Sequence, residues 1–379
     1  MAQQPERPGE RTETPADASF VPWLWPLAAT RMAMEAWLGW LERGPPPMEP
    51  RTASALPWTT PNDIALELTT MRLRDFSTAG SGRATLIAAP YALHSALIAD
   101  FAPGHSLVEA LRGEGVERLY LTDWRSATPD MRLLSIDNYL ADLNVAVDDI
   151  GAPVDLIGLC QGGWLSLIYA ARFPHKVRRL VLVGTPVDVS VESELSRSVA
   201  AAPPGAFEAL VAGGGGVVQG EHLLRLWSRP PEVAEALQQD LSLDAPADRL
   251  LLERFDRWYA ETLDLPGTFY LEAVAGIFRD NRLATGAWSA LGRDIHLDRL
   301  QTPVFLLIGA HDEIVPAEQA LATAARLGTP RAFIACETAP SGHLGLFIGR
   351  RTLTGAWRRV ARWLRDDMPG QRLREVAAI

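Results

Sequence analysis

The segment Val154-Asp155-Leu156-Ile157-Gly158-Leu159-Cys160-Gln161-Gly162-Gly163-Trp164 constrains the fold more than any other stretch of the chain. An apolar run leads into Gly-x-Cys-x-Gly, and a helix-like run from Leu165 to Arg172 follows. The pattern reads as strand, sharp turn and helix, with a nucleophile at the tip of the turn. The glycines have a steric reason. The tip residue sits in a strained backbone conformation, and side chains two before and two after it would collide with the neighbouring strand and helix. A cysteine after an apolar strand is most often a small buried hydrophobe. The strand–turn–helix context is what makes Cys160 a candidate nucleophile for acyl transfer through a thioester.

The text on either side alternates in the same rhythm. Ile64 to Phe76 predicts a strand or hairpin, and Ala84 to Pro90 a buried strand. Gly104-His105-Ser106 opens a helix through Arg112, and Val116 to Leu121 is a strand ending at Thr122-Asp123-Trp124. Ser135 starts a helix to about Ile150, and Val177 to Gly184 is the next strand. Continuous apolar strands between helices indicate a parallel sheet covered on both faces. From about 190 to 298 the rhythm stops, and helical stretches carry Trp227, Phe255, Trp258, Tyr259, Phe269, Tyr270, Phe278 and Trp288. That length is too great for a loop, so residues 190–298 are expected to form a largely helical cap inserted between core segments 59–189 and 299–379. The strand rhythm resumes at Val304–Ile308 and at Arg331–Ile334, and a last helix from about Thr352 to Arg365 turns Trp357, Val360 and Leu364 inward.

Before the core, residues 1–18 hold too few large apolar side chains to offset ordering entropy and are expected to be a disordered tail. Residues 19–58 are expected to form an apolar helix, from about Ala28 to Leu41, and a linker begun by Gly44-Pro45-Pro46-Pro47. Length and composition, 379 residues at 47% hydrophobic, suit one large α/β domain with an insertion. A net charge of −10 argues against a nucleic-acid partner. Two cysteines exclude a disulfide scaffold and suit a reducing compartment. No apolar run reaches the roughly 18 residues a membrane span needs, and no secretory signal is evident, so residence in the cytoplasm is the expectation. His and acidic residues do not cluster at ligand spacing, so no metal and no cofactor is implied.

Two downstream segments supply partners for the thiol. Gly309-Ala310-His311-Asp312-Glu313-Ile314-Val315-Pro316 follows one strand, and Ser341-Gly342-His343-Leu344-Gly345 follows the next. Catalytic groups in open parallel sheets gather beyond the carboxyl ends of strands, and Cys160, Asp312 and His343 all fall there. Their chain order of nucleophile, acid and histidine is that of the α/β-hydrolase fold, which is the architecture expected here. His343 would take the thiol proton and return it to a leaving group, and Asp312 would hold the ring in the useful tautomer. The oxyanion needs backbone N–H donors: Gln161 is one, and the other is expected from the loop after strand 84–90, at Tyr91 or Ala92. Glu313 is a rival acid. His311, His94, Asp188, Asp123 and Cys336 have simpler readings as turn, loop, capping or core residues.

These residues also carry a resemblance. Pro103-Gly104-His105-Ser106-Leu107-Val108, Thr122-Asp123-Trp124, Asp137-Asn138-Tyr139, Gly158-Leu159-Cys160-Gln161-Gly162-Gly163, Thr185-Pro186-Val187-Asp188, Asp264-Leu265-Pro266-Gly267, Asp312-Glu313-Ile314-Val315-Pro316 and Gly342-His343-Leu344-Gly345 resemble the polyhydroxyalkanoate synthases over about residues 84–350. The resemblance implies acyltransfer from 3-hydroxyacyl-CoA onto Cys160, with Asp312 and His343 in support and CoA thioester as substrate rather than cofactor. It implies 3-hydroxyacyl-CoA or polyhydroxyalkanoate polymer as binding partners, with a granule surface or a homodimer as further candidates, and a cytoplasmic place that includes polymer granules. Phe269 to Phe278, Arg282 to Trp288 and Gly345 to Arg351 look more like intracellular polyhydroxyalkanoate depolymerases, which also use cysteine. Synthases often place His directly after the acid, whereas here His311 precedes it. Three functions therefore stand side by side: an acyltransferase, a Cys-dependent hydrolase or thioesterase, and a granule-associated scaffold that kept the fold.

Overall fold

Strands buried along their whole length set the architecture. Ala84–Ala88 (β3), Val154–Leu159 (β5) and Val304–Gly309 (β7) bury every residue, which a strand achieves only with cover on both faces of its sheet. The computed structural model describes residues 56–226 and 246–366. The expectations for residues 1–55, including the tail, the apolar helix and most of the linker, and for Trp227 in the cap lie outside that range.

Among the described residues, eight strands make one sheet in the order β1-β2-β4-β3-β5-β6-β7-β8. The others are Asp63–Glu67 (β1), Met71–Asp75 (β2), Arg118–Trp124 (β4), Val177–Val183 (β6) and Ile334–Ala339 (β8). Residues 63–75 form the expected hairpin, and β2 runs antiparallel to both neighbours. All pairings from β4 through β8 are parallel. Between the strands run Leu107–Gly113 (α1), Ile136–Ile150 (α2) and Gln161–Arg172 (α3). In α2 the inward set Ile136, Tyr139, Leu140, Leu143 and Val147 follows helical spacing, and Ser135 with Asn138 closes the N-terminus as a capping box.

Register explains how distant loops meet. Ala88 pairs with Gly158, Leu159 with Val183, Leu307 with Val183, and Gly309 with Ala339. The carboxyl ends of β3, β5, β6, β7 and β8 thus form one row. The chain leaves β3 toward β4 on one side and leaves β5 toward β6 on the other, so the sheet has its topological switch point between β3 and β5.

Residues 190–298 are largely helical where described: Glu194–Ala201 (α4), Ala206–Gly213 (α5), Gly220–Leu226 (α6), Pro246–Ala260 (α7) and Gly267–Ala273 (α8). Two short ribbons were not expected from the sequence, Val217–Val218 with Leu265–Pro266 and Trp288–Ala290 with Arg293–Ile295. Pairings of two or three residues are too short to leave a period-two signal. Phe255, Trp258 and Phe269 are fully buried, packed in large part against Phe101, His94, Tyr91, Tyr139 and Trp164 of the sheet domain.

Two boundaries differ from expectation. The last strand begins at Ile334 rather than Arg331, because Pro330 leads Arg331–Phe333 into a 3₁₀ turn first. The last helix is two pieces, Arg350–Thr354 and Ala356–Arg365 (α9), broken at Gly355. Trp357, Val360 and Leu364 face inward as expected. Among the described residues, no helix is long and apolar enough to cross a membrane.

Candidate active site

The turn between β5 and α3 is as tight as its sequence demands. Cys160 holds φ 49° and ψ −114°, a conformation that costs a non-glycine residue on the order of 1–3 kcal/mol. Its backbone N–H donates to Val183 O at 2.8 Å, which ties the tip to the neighbouring strand. A Cβ on Gly158 would lie 2.4 Å from Gly163 Cα. A Cβ on Gly162 would lie 2.2 Å from Ala88 O, and one on Gly163 would lie 1.9 Å from Thr185 Oγ1. The glycines therefore let α3 start directly against the ends of β3 and β6. Cys160 itself is half-buried.

Asp312 follows β7 and is buried; its two oxygens have separate duties. Oδ1 accepts from the Ile314 and Val315 N–H groups at 3.0 and 2.8 Å. Oδ2 accepts from His343 Nδ1 at 2.7 Å. The first pair fixes the carboxylate, and the last bond fixes the ring with its proton on Nδ1, leaving Nε2 for a second partner. The Cys160 sulfur is close enough to act on the charge of this ring. Burial alone would lower the His343 pKa, but the Asp312 carboxylate and then the Cys160 sulfur outweigh it and hold the ring well above the ordinary imidazole value. The ring is also packed edge-on against Phe347, with centroids 5.4 Å apart. Beneath it lies Gly184, where a Cβ would come within 3.1 Å of His343 Cε1.

The expected oxyanion donors flank this cluster. Gln161 is the first residue of α3, so its N–H has no intrahelical acceptor and lies at the positive end of the helix. The loop after β3 begins where Ala88 O and Ala89 O press on Gly162, so it starts directly over the first turn of α3. Trp124 Nε1 donates to Ala89 O at 2.8 Å, and Tyr91 Oη donates to Arg125 O and Asp264 O, both at 3.1 Å. Those bonds occupy the Tyr91 side chain, so what Tyr91 and Ala92 can offer is their backbone. Among the described residues, neither of those two N–H groups has a hydrogen-bond partner.

The remaining candidates stand elsewhere. Glu313 and His311 are exposed on either side of buried Asp312. Asp123 pairs with Arg74 at 2.7 Å. Cys336 lies half-buried in β8, where burial pushes its thiol pKa up. Asp188 caps the turn that follows it, accepting from the Ser190 N–H at 3.2 Å, while Ser193 and Ser196 close the start of α4. Asp188 also accepts from the Ser190 hydroxyl, Asn281 and Arg326, and these bonds outweigh burial to bring its pKa down to about 2. His94 packs against Trp258 and Tyr259 of α7, and burial lowers its pKa to about 4. Sequence reasoning missed three supports: Thr185 under Gly163, Gly184 under His343, and Phe347. None of the three left a local signal, because each acts across a turn between separate elements.

Comparison with known proteins agrees with this fold. The sequence model for the alpha/beta hydrolase fold matches residues 99–349. The poly(3-hydroxyalkanoate) polymerase subunit PhaC of Synechocystis sp. is 27% identical over 280 residues, covering 70% of this chain and 74% of that protein. The protein of the same name from Thiocystis violacea is 25% identical over 281 residues, covering 70% and 76%. Among solved structures, the Paleococcus ferrophilus monoacylglycerol lipase superposes with a TM-score of 0.51 at 19% identity, covering 78% of this chain and 98% of the lipase.

Proposed function

The chain belongs to the α/β-hydrolase fold family, and from that premise we propose that it is a Cys-dependent acyltransferase acting on 3-hydroxyacyl thioesters. The observation that carries this reading is the buried 2.7 Å bond from His343 to Asp312, with Cys160 held at a strained turn near enough to raise the ring's pKa. The similarity to PhaC polymerase subunits supports the hydroxyalkanoate substrate class.

Each step follows from the site. His343, held as an imidazolium, carries on Nε2 the proton that Cys160 gives up, and the sulfur attacks the carbonyl carbon of the thioester. Negative charge on the carbonyl oxygen is met by the Gln161 N–H and by a donor from Tyr91 or Ala92. Collapse of the tetrahedral adduct expels the CoA thiolate, to which His343 returns the proton. The acyl group is then a thioester on Cys160. His343 next removes the proton of an incoming hydroxyl, the oxygen attacks the acyl carbon, and the released sulfur takes the proton back. Asp312 keeps the ring oriented and stabilises its cationic form throughout. CoA enters as part of the substrate. A granule surface, a second copy of the chain and a cytoplasmic place belong to the same proposal.

A second reading replaces the hydroxyl acceptor by water, which makes the protein a hydrolase. The depolymerase-like stretches 269–288 and 345–351 favour it. Incubation with 3-hydroxybutyryl-CoA decides. The acyltransferase releases CoA and forms ester-linked oligomer, and Cys160→Ala removes both. CoA release with free 3-hydroxybutyrate as the sole product makes the protein a hydrolase. The absence of both CoA release from any hydroxyacyl thioester and cleavage of any hydroxyalkanoate ester defeats both readings.

A further inference from the structure

The loop proposed to supply the second oxyanion donor is fastened on its far side to the region 246–264, and His94 is the centre of that attachment. Tyr91 Oη donates to Asp264 O at 3.1 Å. Leu93 O accepts from the Leu263 N–H at 2.8 Å, and His94 forms an isolated antiparallel bridge with Thr262. Trp258 Nε1 donates to Ser95 O at 3.3 Å. The His94 ring lies against Trp258 and Tyr259, with centroids 4.6 and 4.8 Å away, and its Nδ1 is 3.5 Å from Glu261 O. On the near side, the same loop is pinned to the core by Trp124 Nε1 at Ala89 O, and its start presses on the first turn of the nucleophile helix.

Between these two attachments lie Tyr91 and Ala92. Among the described residues their N–H groups have no hydrogen-bond partner, so neighbours on both sides must hold them. An oxyanion donor stabilises a transition state only if its direction is fixed before reaction. The core fixes one end of this short loop, and residues 258–264 fix the other.

We propose that His94 is a positioning residue that locks the second oxyanion donor in place by holding the loop 89–95 against α7 and the segment after it. This deepens the acyl-transfer reading and rests on it. The ring is suited to the task. It fills an aromatic site, and burial keeps it uncharged near neutral pH, so it adds packing and one directed N–H without a charge to solvate. Loss of the ring would free the loop to tilt while leaving Cys160, His343 and Asp312 untouched, because among the described residues their hydrogen bonds run to groups such as Val183, Ile314, Val315 and one another, and none to residues 93–95.

The test compares two reactions of one thiol. Turnover of 3-hydroxybutyryl-CoA passes through an oxyanion. Alkylation of Cys160 by iodoacetamide does not, since the sulfur displaces iodide at a saturated carbon. His94→Ala is expected to lower kcat for CoA release by about 10- to 100-fold, less than deletion of a whole oxyanion donor. KM should change less than about twofold and the alkylation rate should stay at the wild-type value. His94→Phe, which keeps a ring between Trp258 and Tyr259, should restore most of kcat. An unchanged kcat in His94→Ala overturns the proposal, as does an equal loss in both reactions or an absence of rescue by Phe. If His94→Ala is insoluble, Trp258→Phe decides in the same assays: it loses the bond to Ser95 O, and a several-fold fall in kcat at constant alkylation supports the lock, whereas no fall refutes it. Wild-type protein that alkylates at Cys160 but releases no CoA defeats the substrate reading alone. The same comparison is then made with p-nitrophenyl acetate, whose cleavage forms an equivalent oxyanion.

Discussion

Asp312→Asn probes the account where one atom decides the outcome. Oδ1 of Asp312 accepts two backbone N–H groups, at 3.0 and 2.8 Å, while Oδ2 serves His343 alone at 2.7 Å. An asparagine there must turn its oxygen toward the two backbone donors, so its NH₂ faces Nδ1 of the ring. The ring answers by accepting at Nδ1 and carrying its proton on Nε2, the tautomer that cannot take a proton from Cys160. The carboxylate that raises the His343 pKa disappears with the same change. A wrong tautomer of this kind costs on the order of 10⁴-fold in kcat, or about 5.5 kcal/mol of transition-state stabilisation. Side-chain volume is conserved, so the protein should still fold. Stability carries its own signature. A histidine pKa raised by folding contributes stability that is fully present below the unfolded value, about 6.5, and is lost as pH rises through the folded value. The melting difference between wild type and variant should therefore be largest at acid pH and shrink toward alkaline pH. CoA release from 3-hydroxybutyryl-CoA, with thermal melts across pH, gives both quantities. A variant that keeps more than about a tenth of wild-type kcat would refute the tautomer argument.

Other expectations follow from single contacts. Cys160→Gly relieves the φ 49° strain, and after the entropy cost of glycine it should melt about 2 °C above Cys160→Ala, corresponding to about 1 kcal/mol; the reverse order in calorimetry contradicts a strained tip. Gly162→Ala sets a methyl 2.2 Å from Ala88 O, so it should destabilise by about 1–3 kcal/mol and impair acyl turnover more than iodoacetamide labelling. Equal effects on both reactions would show that the loop after β3 takes no part. Asp188 has its pKa lowered to about 2, so its contribution is present above the usual carboxylate range and is lost as pH falls toward 2. Asp188→Asn should thus remove about 2 kcal/mol near neutral pH and little at pH 2, and a difference that persists at pH 2 assigns the effect to packing instead.

Much of the fold was legible because its signals were local and strong. The strands 84–88, 154–159, 177–183 and 304–309 are each mostly apolar, interrupted only at Thr85, Asp155, Arg178 and Arg179. Gly158, Gly162 and Gly163 mark a turn whose sterics leave few alternatives. Asp312 and His343 were readable from their places after strands, which the register then aligned in one row. What stayed hidden depended on partners distant in the chain. The role of Asp188 is set by Asn281 and Arg326, some 93 and 138 residues away, and no local pattern announces them. The His94 attachment needs Trp258 and Leu263. The 3₁₀ turn at Arg331–Phe333 hid inside an apolar run because its cause, Pro330, lay just outside the run.

The central claim is an acyl group carried on one sulfur. The protein is mixed with 3-hydroxybutyryl-CoA, quenched in acid within the first turnover, digested and weighed. The account predicts one 3-hydroxybutyryl group on the peptide holding Cys160, and none in Cys160→Ala. An adduct on another residue, or CoA released with no acyl group on the protein at any time, would contradict it.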